Sequence, residues 1–431
     1  MEDLAAPAWT VSRTIKSVLF VRFSIVVSYN LLNFLSGLFI ELGPFRLSGA
    51  DLDRIKINPN SWHYAANILF IDQPVGTGMS YSLMNDYAGS DEAINNHFYK
   101  FLQKFLTLHD RYTSVQNGVR VSRDFFMSGE SHAGHYIPTM AAYIQRKNEE
   151  LAGPLKSDSI RIAMKGIALG NPWTDPFNQY DVSDFAHGMG LITQGQKNRL
   201  KEVNKECKNQ LKMGNYNQKS CFSLLDDVVD STSLAGSHKV LMYDARHFVH
   251  STSVFPPGHD ALEKYLNRPD VRAAVHATST PQRYVECADP PYLALSHQDG
   301  KGVTAELTEV LNKGLRVLLY SGQYDIICNH LGSERMLREL PWVGREAWLK
   351  AQPGIWLVDR QPAGYVKNYK NLHSLLGMLL ILTCCLLYVD YLIFLSKFWR
   401  SYLHVSLSVG AAMRTCFILE ILFWCDATVL K

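Results

Sequence analysis

The stretch DFFMSGESHAGHYIP (124–138) decides how this chain folds, because an apolar run ends there at a serine set among small residues. A serine on a tight turn between a strand and a helix needs small neighbours two positions before it and two positions after it. Gly129 and Ala133 meet that requirement. The pattern predicts that Ser131 lies at the carboxyl edge of a sheet, where the backbone N–H of His132 can donate to a developing oxyanion.

Three more apolar runs have the length and composition of buried strands: NILFID (67–72), IRIAMKGIALGN (160–171) and RVLLYSG (316–322). Each contains β-branched or aromatic residues and ends in Gly, Asp or Asn, which is typical of a parallel sheet buried on both faces. The segments 91–110 and 138–150 carry apolar residues at three- and four-residue spacing and are predicted to be helices. Strands that alternate with helices predict the α/β class, with a mostly parallel central sheet covered by helices.

The balance of apolar and polar residues changes along the chain, and this change predicts three segments. Residues 1–36 are apolar and irregular after an acidic start, and a signal peptide or signal anchor is one interpretation of them. Residues 37–372 are predicted to be the α/β body, with a more polar insertion at about 180–255 that would cap the sheet. Residues 373–431 turn apolar and contain no recognisable motif, so both ends of the chain are atypical.

The last segment contains a candidate transmembrane helix at 374–396. The 16 residues from Ser374 to Val389 carry no charge, and a short apolar run follows Asp390. About 20 apolar residues with basic flanks are what a bilayer crossing requires. The acidic residue in this run, and another in the apolar patch at 415–425, favour the alternative of a tail that was never selected to fold in this context.

Composition excludes several classes of protein. The 43 Lys and Arg residues against 40 Asp and Glu give a formal net charge of +3, so nothing favours nucleic-acid binding. The 8 cysteines include no CxxC spacing, so no zinc or redox site is predicted. Cys207 and Cys221 flank a polar stretch, where a disulfide is one interpretation and would require an oxidising compartment.

A serine nucleophile needs a base and an acid that orients the base. For a serine on this type of turn, the chain order is Ser, then Asp or Glu, then His. Asp325 follows the apolar run 316–322 and is therefore the candidate acid. The alternative is a turn or capping residue, which is the commoner role for an Asp after a strand. Its place after Ser131 and at the end of a predicted strand favours catalysis.

Six blocks of the sequence resemble motifs of the serine carboxypeptidase family, in the family's order. They are GLFIELGPF (37–45), NILFIDQPVGTGMSYS (67–82), GESHAGHYIP (129–138), IALGNPWTDP (167–176), YDAR (243–246) and YSGQYDIICN (320–329). The resemblance implies the α/β-hydrolase fold with an inserted helical cap, and removal of C-terminal residues from peptides at acidic pH without a cofactor or metal. It also implies peptide C-termini as partners and a vacuolar, lysosomal or secreted location.

Carried over residue by residue, Ser131 resembles the family's nucleophile and Asp325 the acid that orients its base. The backbone N–H of His132 takes the place of one oxyanion donor, although the family usually has Tyr there. Glu41 and Glu130 match the paired glutamates that bind the C-terminal carboxylate of the substrate. Two adjacent carboxyls cannot both ionise cheaply, so one stays protonated and can donate a hydrogen bond to that carboxylate. The alternative is that both are ordinary surface carboxylates.

One expected motif is missing near the start of the chain. The family carries Asn-Gly-Gly-Pro-Gly-Cys-Ser-Ser before the GLF block, whereas this chain has VSYNLLNF (27–34), without the glycines that supply the second oxyanion donor. Bulky side chains there would intrude where the backbone has to approach the substrate. The cysteine of that motif is absent too, which implies that its partner, Cys287, is unpaired.

The family's catalytic histidine, in a Gly-His-x-x-Pro loop after GYVKNYKNL (364–372), has no counterpart here, so no catalytic histidine is identified. Three histidines follow Asp325. His330 is interpreted as part of the loop after the acid, His373 precedes the expected position, and His404 lies in the apolar tail. Chain ends that are not native family sequence would explain both departures.

Three functions are compatible with these residues. The leading hypothesis is a serine-type carboxypeptidase that is impaired as written. The second is an acyltransferase, because plant members of the family use the same triad on activated esters. The third is a membrane-tethered protein that keeps the fold and has lost the chemistry, which the missing histidine and glycines favour.

Overall fold

The computed structural model describes residues 25–30, 37–39, 42–48, 54–59, 61–64, 66–151, 159–233, 236–253, 255, 259–358 and 360–378. Within them the strands are β1 (Ile25–Asn30), β2 (Phe45–Ser48), β3 (Arg54–Ile57), β4 (Asn67–Phe70), β5 (Thr113–Gln116), β6 (Val119–Ser122), β7 (Phe125–Glu130), β8 (Met164–Gly170), β9 (His238–Leu241), β10 (Asp244–His250), β11 (Arg316–Gly322), β12 (Gly354–Val358), β13 (Gln361–Tyr369) and β14 (Leu372–Gly377). The α-helices are α1 (Asp91–Leu108), α2 (Ala133–Glu150), α3 (Pro176–Gln179), α4 (Ser183–Gly188), α5 (Gln194–Lys212), α6 (Lys219–Ser231), α7 (His259–Leu266), α8 (Pro269–Ala274), α9 (Asp289–Leu295), α10 (Thr304–Asn312), α11 (His330–Glu339) and α12 (Arg345–Lys350).

A single sheet of 8 strands, in the order β12-β13-β14-β11-β8-β7-β1-β4, forms the centre of the molecule. The strands from β14 to β4 in that order are parallel to one another, and β13 and β12 add an antiparallel edge. The predicted α/β class with a mostly parallel sheet is confirmed. β1 pairs with both β7 and β4, so the strand upstream of residue 37 is an inner strand of the sheet.

The four predicted strands form β4, β7, β8 and β11, and the bounds of β8 differ most from the prediction. The run starting at Ile160 was expected to pair along its whole length, but β8 begins only at Met164. Side chains satisfy the backbone before that point: the N–H of Ile160 donates to Gln103 Oε1 at 2.8 Å and that of Ile162 to Asn148 Oδ1 at 3.0 Å. These bonds replace the ladder and delay the start of the strand.

Successive residues of the central strands pack on opposite faces of the sheet, as the two-residue period of a strand requires. Phe125 and Met127 of β7 are buried in one apolar cluster, which includes residues of α1, α2, α10 and α11. Phe126 between them is buried in a second cluster together with Leu38 and with Leu262 of α7. Because both clusters are continuous across several strands, the parallel sheet is covered on both sides.

Helix α2 starts five residues earlier than the predicted 138–150, since it begins at Ala133 and contains Pro138. A proline inside a helix leaves the carbonyl four residues before it without its N–H partner. That carbonyl belongs to Gly134, and it accepts the hydroxyl of Thr174 at 2.8 Å. The carbonyl that the proline leaves free therefore joins α2, through Thr174, to the chain that follows β8.

A helical layer built mainly from α4, α5 and α6 lies in the stretch between β8 and β11, in the part of the chain predicted to form the cap. The Cys207–Cys221 disulfide, with an S–S distance of 2.09 Å, joins α5 to α6, so the predicted bridge is confirmed. Its neighbours Leu200, Leu224 and Val228 are buried with it in a separate apolar cluster. This layer has its own small core.

The candidate transmembrane helix at 374–396 is wrong at its first residues. Residues from Ser374 to Gly377 belong to β14, which pairs with β11 in parallel and β13 antiparallel. Leu375 is 1% exposed there, so the first residues of the charge-free run, 374–377, belong to a strand of the sheet. Among the described residues, no helix combines the length and apolar character that crossing a membrane requires. The rest of the predicted span lies outside the described residues.

Candidate active site

Ser131 lies on a strained turn directly after β7. Its φ is +59°, in the left-handed region that costs an L-residue about 1–3 kcal/mol. The turn is held in place because the Ser131 N–H donates to Gly170 O at 3.0 Å, and its carbonyl accepts from Gly134 at 2.9 Å and from Trp173 at 2.8 Å. Gly134 must lack a side chain, since a Cβ there would lie 2.5 Å from Pro172 Cβ. The strand, tight turn and helix predicted around this serine are all present.

His132 follows the serine and precedes the first residue of α2. Its imidazole lines a cavity beside Ser131, at ring distances of 5.5 Å from His135 and 4.9 Å from Tyr136. Burial, aided by the neighbouring His135, lowers the pKa of His132 to about 3. The ring is therefore neutral at mildly acidic and neutral pH, and the side chain adds no positive charge beside the serine.

His135 is anchored by an acid at the start of α1. Its Nε2 lies 2.8 Å from Asp91 Oδ1, and Lys301 Nζ lies 3.1 Å from the other oxygen of that carboxylate. Burial alone would raise the pKa of Asp91, but the hydrogen bonds from His135 and Lys301 overcome this effect and lower it to about 2. The ionised Asp91 therefore holds His135, which lines the same cavity as His132.

Asp325 is completely buried in the loop after β11. Its Oδ2 accepts hydrogen bonds from Asn171 Nδ2 at 2.8 Å and from the N–H of Cys328 at 3.2 Å. Within the part of the chain that the structure describes, its Oδ1 has no hydrogen-bond partner. Burial raises the pKa of this carboxyl to about 8, although the two hydrogen bonds act in the opposite direction. One oxygen of the acid is thus held firmly and the other is left unsatisfied.

Asn171 holds the acid, a role that the sequence analysis did not assign to it. Its φ is +37°, its Oδ1 accepts the N–H of Gly322 at 2.9 Å, and its own N–H donates to Tyr320 O at 2.7 Å. The residue therefore joins the end of β8 to the end of β11 and aims its amide at Asp325. Asn adopts the left-handed backbone conformation more readily than most residues do. An Asn directly after a strand is therefore a sequence signal for such a turn.

The register of the sheet brings these groups to one edge. Glu130 of β7 pairs with Gly170 of β8, which in turn pairs with Tyr320 of β11. Ser131, Asn171 and the Asp325 loop each follow the end of one of these three adjacent parallel strands. Burial raises the pKa of the Cys328 thiol well above its usual value, although the neighbouring side chain of Ser131 acts in the opposite direction.

Of the histidines weighed as bases, the two that lie among the described residues, His330 and His373, make no contact with Asp325. His330 is the first residue of α11, so its interpretation as a loop residue is wrong, and its ring packs on Phe185 at 5.8 Å. Its Nδ1 is buried without a hydrogen-bond partner, and burial lowers its pKa. His373 is the second residue of β14 and pairs with Leu318, at the opposite end of the strand from the site. His404 lies outside the described residues.

Of the two glutamates assigned to the substrate carboxylate, only Glu130 lies among the described residues. Glu130 is the last residue of β7, is 8% exposed and immediately precedes Ser131. Glu41 lies outside the described residues, so its pairing with Glu130 stays a prediction. Cys287 is exposed and has no disulfide partner, as the resemblance implied.

A cavity of about 540 Å³ opens beside Ser131, and the helical layer forms part of its wall. Its aromatic lining consists of Tyr136, Trp173, Tyr180, Phe222 and Tyr292. Its acidic lining consists of Asp226, Glu286, Asp289 and Asp299. A mostly apolar cavity with several aromatic side chains and a few polar groups next to a strained serine has the character of a substrate site.

The loop after β4 supplies another part of this wall through Gln73, Pro74 and Thr77. It is held by Asp72, whose Oδ2 accepts the N–H of Met79 at 2.7 Å. Gly78, at a φ of +54°, has to be glycine because a Cβ would lie 2.2 Å from that oxygen. These contacts hold the loop in place as part of the cavity wall.

A strained serine at a strand-to-helix turn, on a mostly parallel sheet with a buried acid two strands away, defines an α/β-hydrolase. This chain belongs to the serine carboxypeptidase family, whose model matches residues 34–377. The solved structure of the prohormone-processing carboxypeptidase KEX1 from Saccharomyces cerevisiae has the same fold, with a TM-score of 0.76 and 24% identity over 89% of this chain and 83% of that one.

Curated relatives are more similar in sequence. The pheromone-processing carboxypeptidase KEX1 of Phytophthora infestans is 38% identical over 343 residues, 78% of this chain and 56% of that protein. Serine carboxypeptidase S10 family member 2 of Dictyostelium discoideum is 38% identical over 356 residues, 80% of this chain and 61% of that protein. A serine carboxypeptidase-like protein of Oryza sativa subsp. japonica is 32% identical and is matched over 75% of its length. The chain thus spans only 56% and 61% of the length of the first two relatives.

Proposed function

We propose that this protein is a serine-type carboxypeptidase that releases the C-terminal residue of a peptide through an acyl-enzyme, at a rate impaired because the described residues supply no catalytic histidine beside Asp325. The observation that carries the proposal is the arrangement of Ser131 and Asp325 at one edge of the sheet. Ser131 is held at a φ of +59°, and Asp325 is completely buried and bound by Asn171 at 2.8 Å. Family membership and the names of the curated relatives support the same reaction.

In this reaction Ser131 Oγ attacks the carbonyl carbon of the last peptide bond while its proton passes to a general base. The backbone N–H of His132 donates to the oxyanion that forms, and no acceptor for that N–H is present among the described residues. When the tetrahedral intermediate collapses, the C–N bond breaks, the base returns the proton to nitrogen, and the free amino acid leaves. Water then hydrolyses the ester by the same route and restores the serine.

Glu130 is proposed to bind the C-terminal carboxylate of the substrate together with Glu41. It is nearly buried and next to the nucleophile, so a bound carboxylate would place the last peptide bond near Ser131. Such binding requires one carboxyl to be protonated. The proposed activity is therefore highest at acidic pH and declines as the pair ionises.

A second candidate function is a binding protein that keeps the fold and has lost catalysis. The unsatisfied Oδ1 of Asp325 favours it, because a triad acid normally accepts the N–H of the base at that position. Its pKa of about 8 also favours it, since a neutral carboxyl cannot stabilise an imidazolium. In this case the cavity would bind peptide ends without cleaving them.

The decisive experiment is labelling of the folded protein with a fluorophosphonate, next to hydrolysis of an N-blocked dipeptide at pH 4–7. Ser131→Ala is the control for the nucleophile. Labelling and release of the C-terminal residue by the wild type, both lost in S131A, are the expected results. Folded wild-type protein that binds the dipeptide but neither reacts with the probe nor hydrolyses it would leave the binding function in place of the enzyme.

The proposed location is the secretory pathway or a vacuolar or lysosomal lumen. The Cys207–Cys221 disulfide supports it, because such bonds persist in oxidising compartments. The proposed partners are the C-terminal ends of peptides, which the aromatic and acidic cavity beside Ser131 has room to admit.

A further inference from the structure

Two histidines face each other across an exposed hairpin remote in sequence from Ser131. The first residue of β9, His238, pairs with the last residue of β10, His250, in antiparallel register. Both side chains are exposed, and their ring centres are 5.9 Å apart at an interplanar angle of 73°. The pair lies at the open end of the hairpin, on strands whose register is interrupted between Asp244 and Phe248.

A hydroxyl group holds each imidazole by the same nitrogen. His238 Nδ1 lies 3.0 Å from Ser237 Oγ, and His250 Nδ1 lies 2.8 Å from Thr252 Oγ1. In metal sites, a ligating histidine commonly donates its second ring N–H to an oxygen, which fixes the ring and its tautomer. The hydroxyls are placed for that role, and among the described residues neither Nε2 has a hydrogen-bond partner. His250 Nδ1 also accepts the N–H of Thr252 at 3.4 Å, so on metal binding this contact has to give way to donation from Nδ1 to Thr252 Oγ1.

We propose that His238 and His250 together bind one divalent transition-metal ion, of the Zn²⁺ class, through their Nε2 atoms. At Zn–N distances of about 2.0–2.1 Å and a tetrahedral angle, two such rings have centres about 5 Å apart. The observed 5.9 Å is within reach of a small change in side-chain torsions. On binding, the proton of each imidazole resides on Nδ1, where Ser237 and Thr252 accept it. Water fills the remaining positions on the ion.

The effect of the ion would extend beyond the hairpin, because the other end of the hairpin is hydrogen-bonded to the loop that contains Asp325. The N–H of Ala245 donates to Tyr324 O at 2.8 Å, and the N–H of Ile326 donates to Met242 O at 3.0 Å. A cross-link at the open end limits fraying of β9 and β10. The hairpin contacts on either side of the acid are thereby made more persistent.

Titration of the folded protein with Zn²⁺ by calorimetry tests the site directly. The expected result is one ion per chain at this site, with a Kd weakened ~10-fold or more in His238→Ala and in His250→Ala, because each loses one of two protein ligands. His297→Ala removes an exposed histidine elsewhere and serves as the matched control, with no change expected. Both His sites are exposed, so neither variant is expected to unfold.

Cu²⁺ supplies a second readout, since its electron paramagnetic resonance spectrum reports the number of bound nitrogens. Two imidazole nitrogens are expected in the wild type and in H297A, and one or none in either hairpin variant. Absence of binding to the wild type would show that the rings only stack on each other and would overturn the proposal. Equal affinity and equal spectra in wild type and H238A would overturn it too, by placing the ion elsewhere.

Discussion

One side chain, that of Asn171, connects the ends of two strands to the buried acid of the site. Its amide oxygen accepts from Gly322 and its amide nitrogen donates to Asp325. The sequence marks this residue only as an Asn directly after a strand, because its importance depends on the neighbouring strand. By contrast, Ser131 was predictable, since its turn is encoded by small residues two positions away on each side.

We expect Asn171→Leu to slow fluorophosphonate labelling of Ser131 by ~10-fold or more. The substitution leaves the buried carboxyl of Asp325 without its shorter hydrogen bond, at a cost of about 1–3 kcal/mol. Asn148→Leu is a matched control, since Asn148 makes two hydrogen bonds to the backbone of Ile162 away from the edge. Both variants should lose stability in urea, but only N171L should lose reactivity. Equal labelling rates in the two variants would refute the positioning role.

The raised pKa of Asp325 predicts how stability depends on pH. The carboxyl is neutral in the folded protein up to a pH of about 8, whereas in the unfolded chain it ionises near its ordinary value of 3.8. The resulting stabilisation is complete below the lower value and is lost as the pH rises through the higher one. Asp325→Asn cannot ionise, so we expect its urea midpoint to fall less than that of the wild type between pH 4 and 8.

Asp270→Asn is the comparison for that experiment, because Asp270 is an exposed carboxylate on the surface of the body. Its pH dependence should follow the wild type. If D325N and the wild type lose the same stability across the range, the Asp325 carboxyl is ionised in the folded protein, and the idea of a neutral acid is wrong.

At the scale of elements, a single lysine fastens the helical layer. Lys201 Nζ of α5 lies 2.7 Å from Asp181 Oδ2 and 2.6 Å from Asp184 Oδ2. Burial raises the pKa of both acids, but the hydrogen bonds from Lys201, together with one from Lys197 to Asp184, outweigh it; both pKa values are lowered, that of Asp184 to about 2. These contacts join residues 17 to 20 positions apart, so spacing along the chain did not reveal them.

Lys201→Met keeps the apolar stem of the side chain and removes the charge, leaving Asp181, 7% exposed, without its cation. We expect a loss of about 1–3 kcal/mol at pH 7, measured by urea unfolding. Because the folded pKa values are lowered, this stabilisation is present above pH ~4 and is lost towards pH ~2, so the difference should shrink on acidification. Lys205→Met is the control, since its pair with Glu202 is exposed and worth little. A K201M effect no larger than that of K205M would contradict the role of this cluster.

At the scale of the whole molecule, the order of motifs along the chain was enough to predict the α/β sheet and its covered faces. Each run of β-branched and aromatic residues had one stable solution, a strand buried on both sides. The end of the body was not predictable in this way. The residues from 374 to 389 are mostly apolar and uncharged, and such a run suits a central strand as well as the start of a membrane helix. Pairing with β11 and β13 decides between them, and pairing is a property of the assembled sheet.

Two variants, each with one leucine replaced by lysine, test whether β14 is an integral strand of the sheet. Leu375 of β14 is 1% exposed and lies opposite Tyr320 of β11, the strand that leads to Asp325. A lysine there places an unpaired charge in the core and removes a buried leucine, whose loss alone costs about 2–5 kcal/mol. We expect Leu375→Lys to abolish cooperative unfolding together with fluorophosphonate labelling, because the whole sheet depends on this strand.

Leu357→Lys makes the same change on the edge strand β12, where the side chain is 55% exposed. Its expected effect is within about 0.5 kcal/mol of the wild type, as for most surface substitutions. The two variants share composition and charge and differ only in burial. If L375K unfolded with the same midpoint as L357K, residues 372–377 would not be an integral strand, and the body would have to end before them.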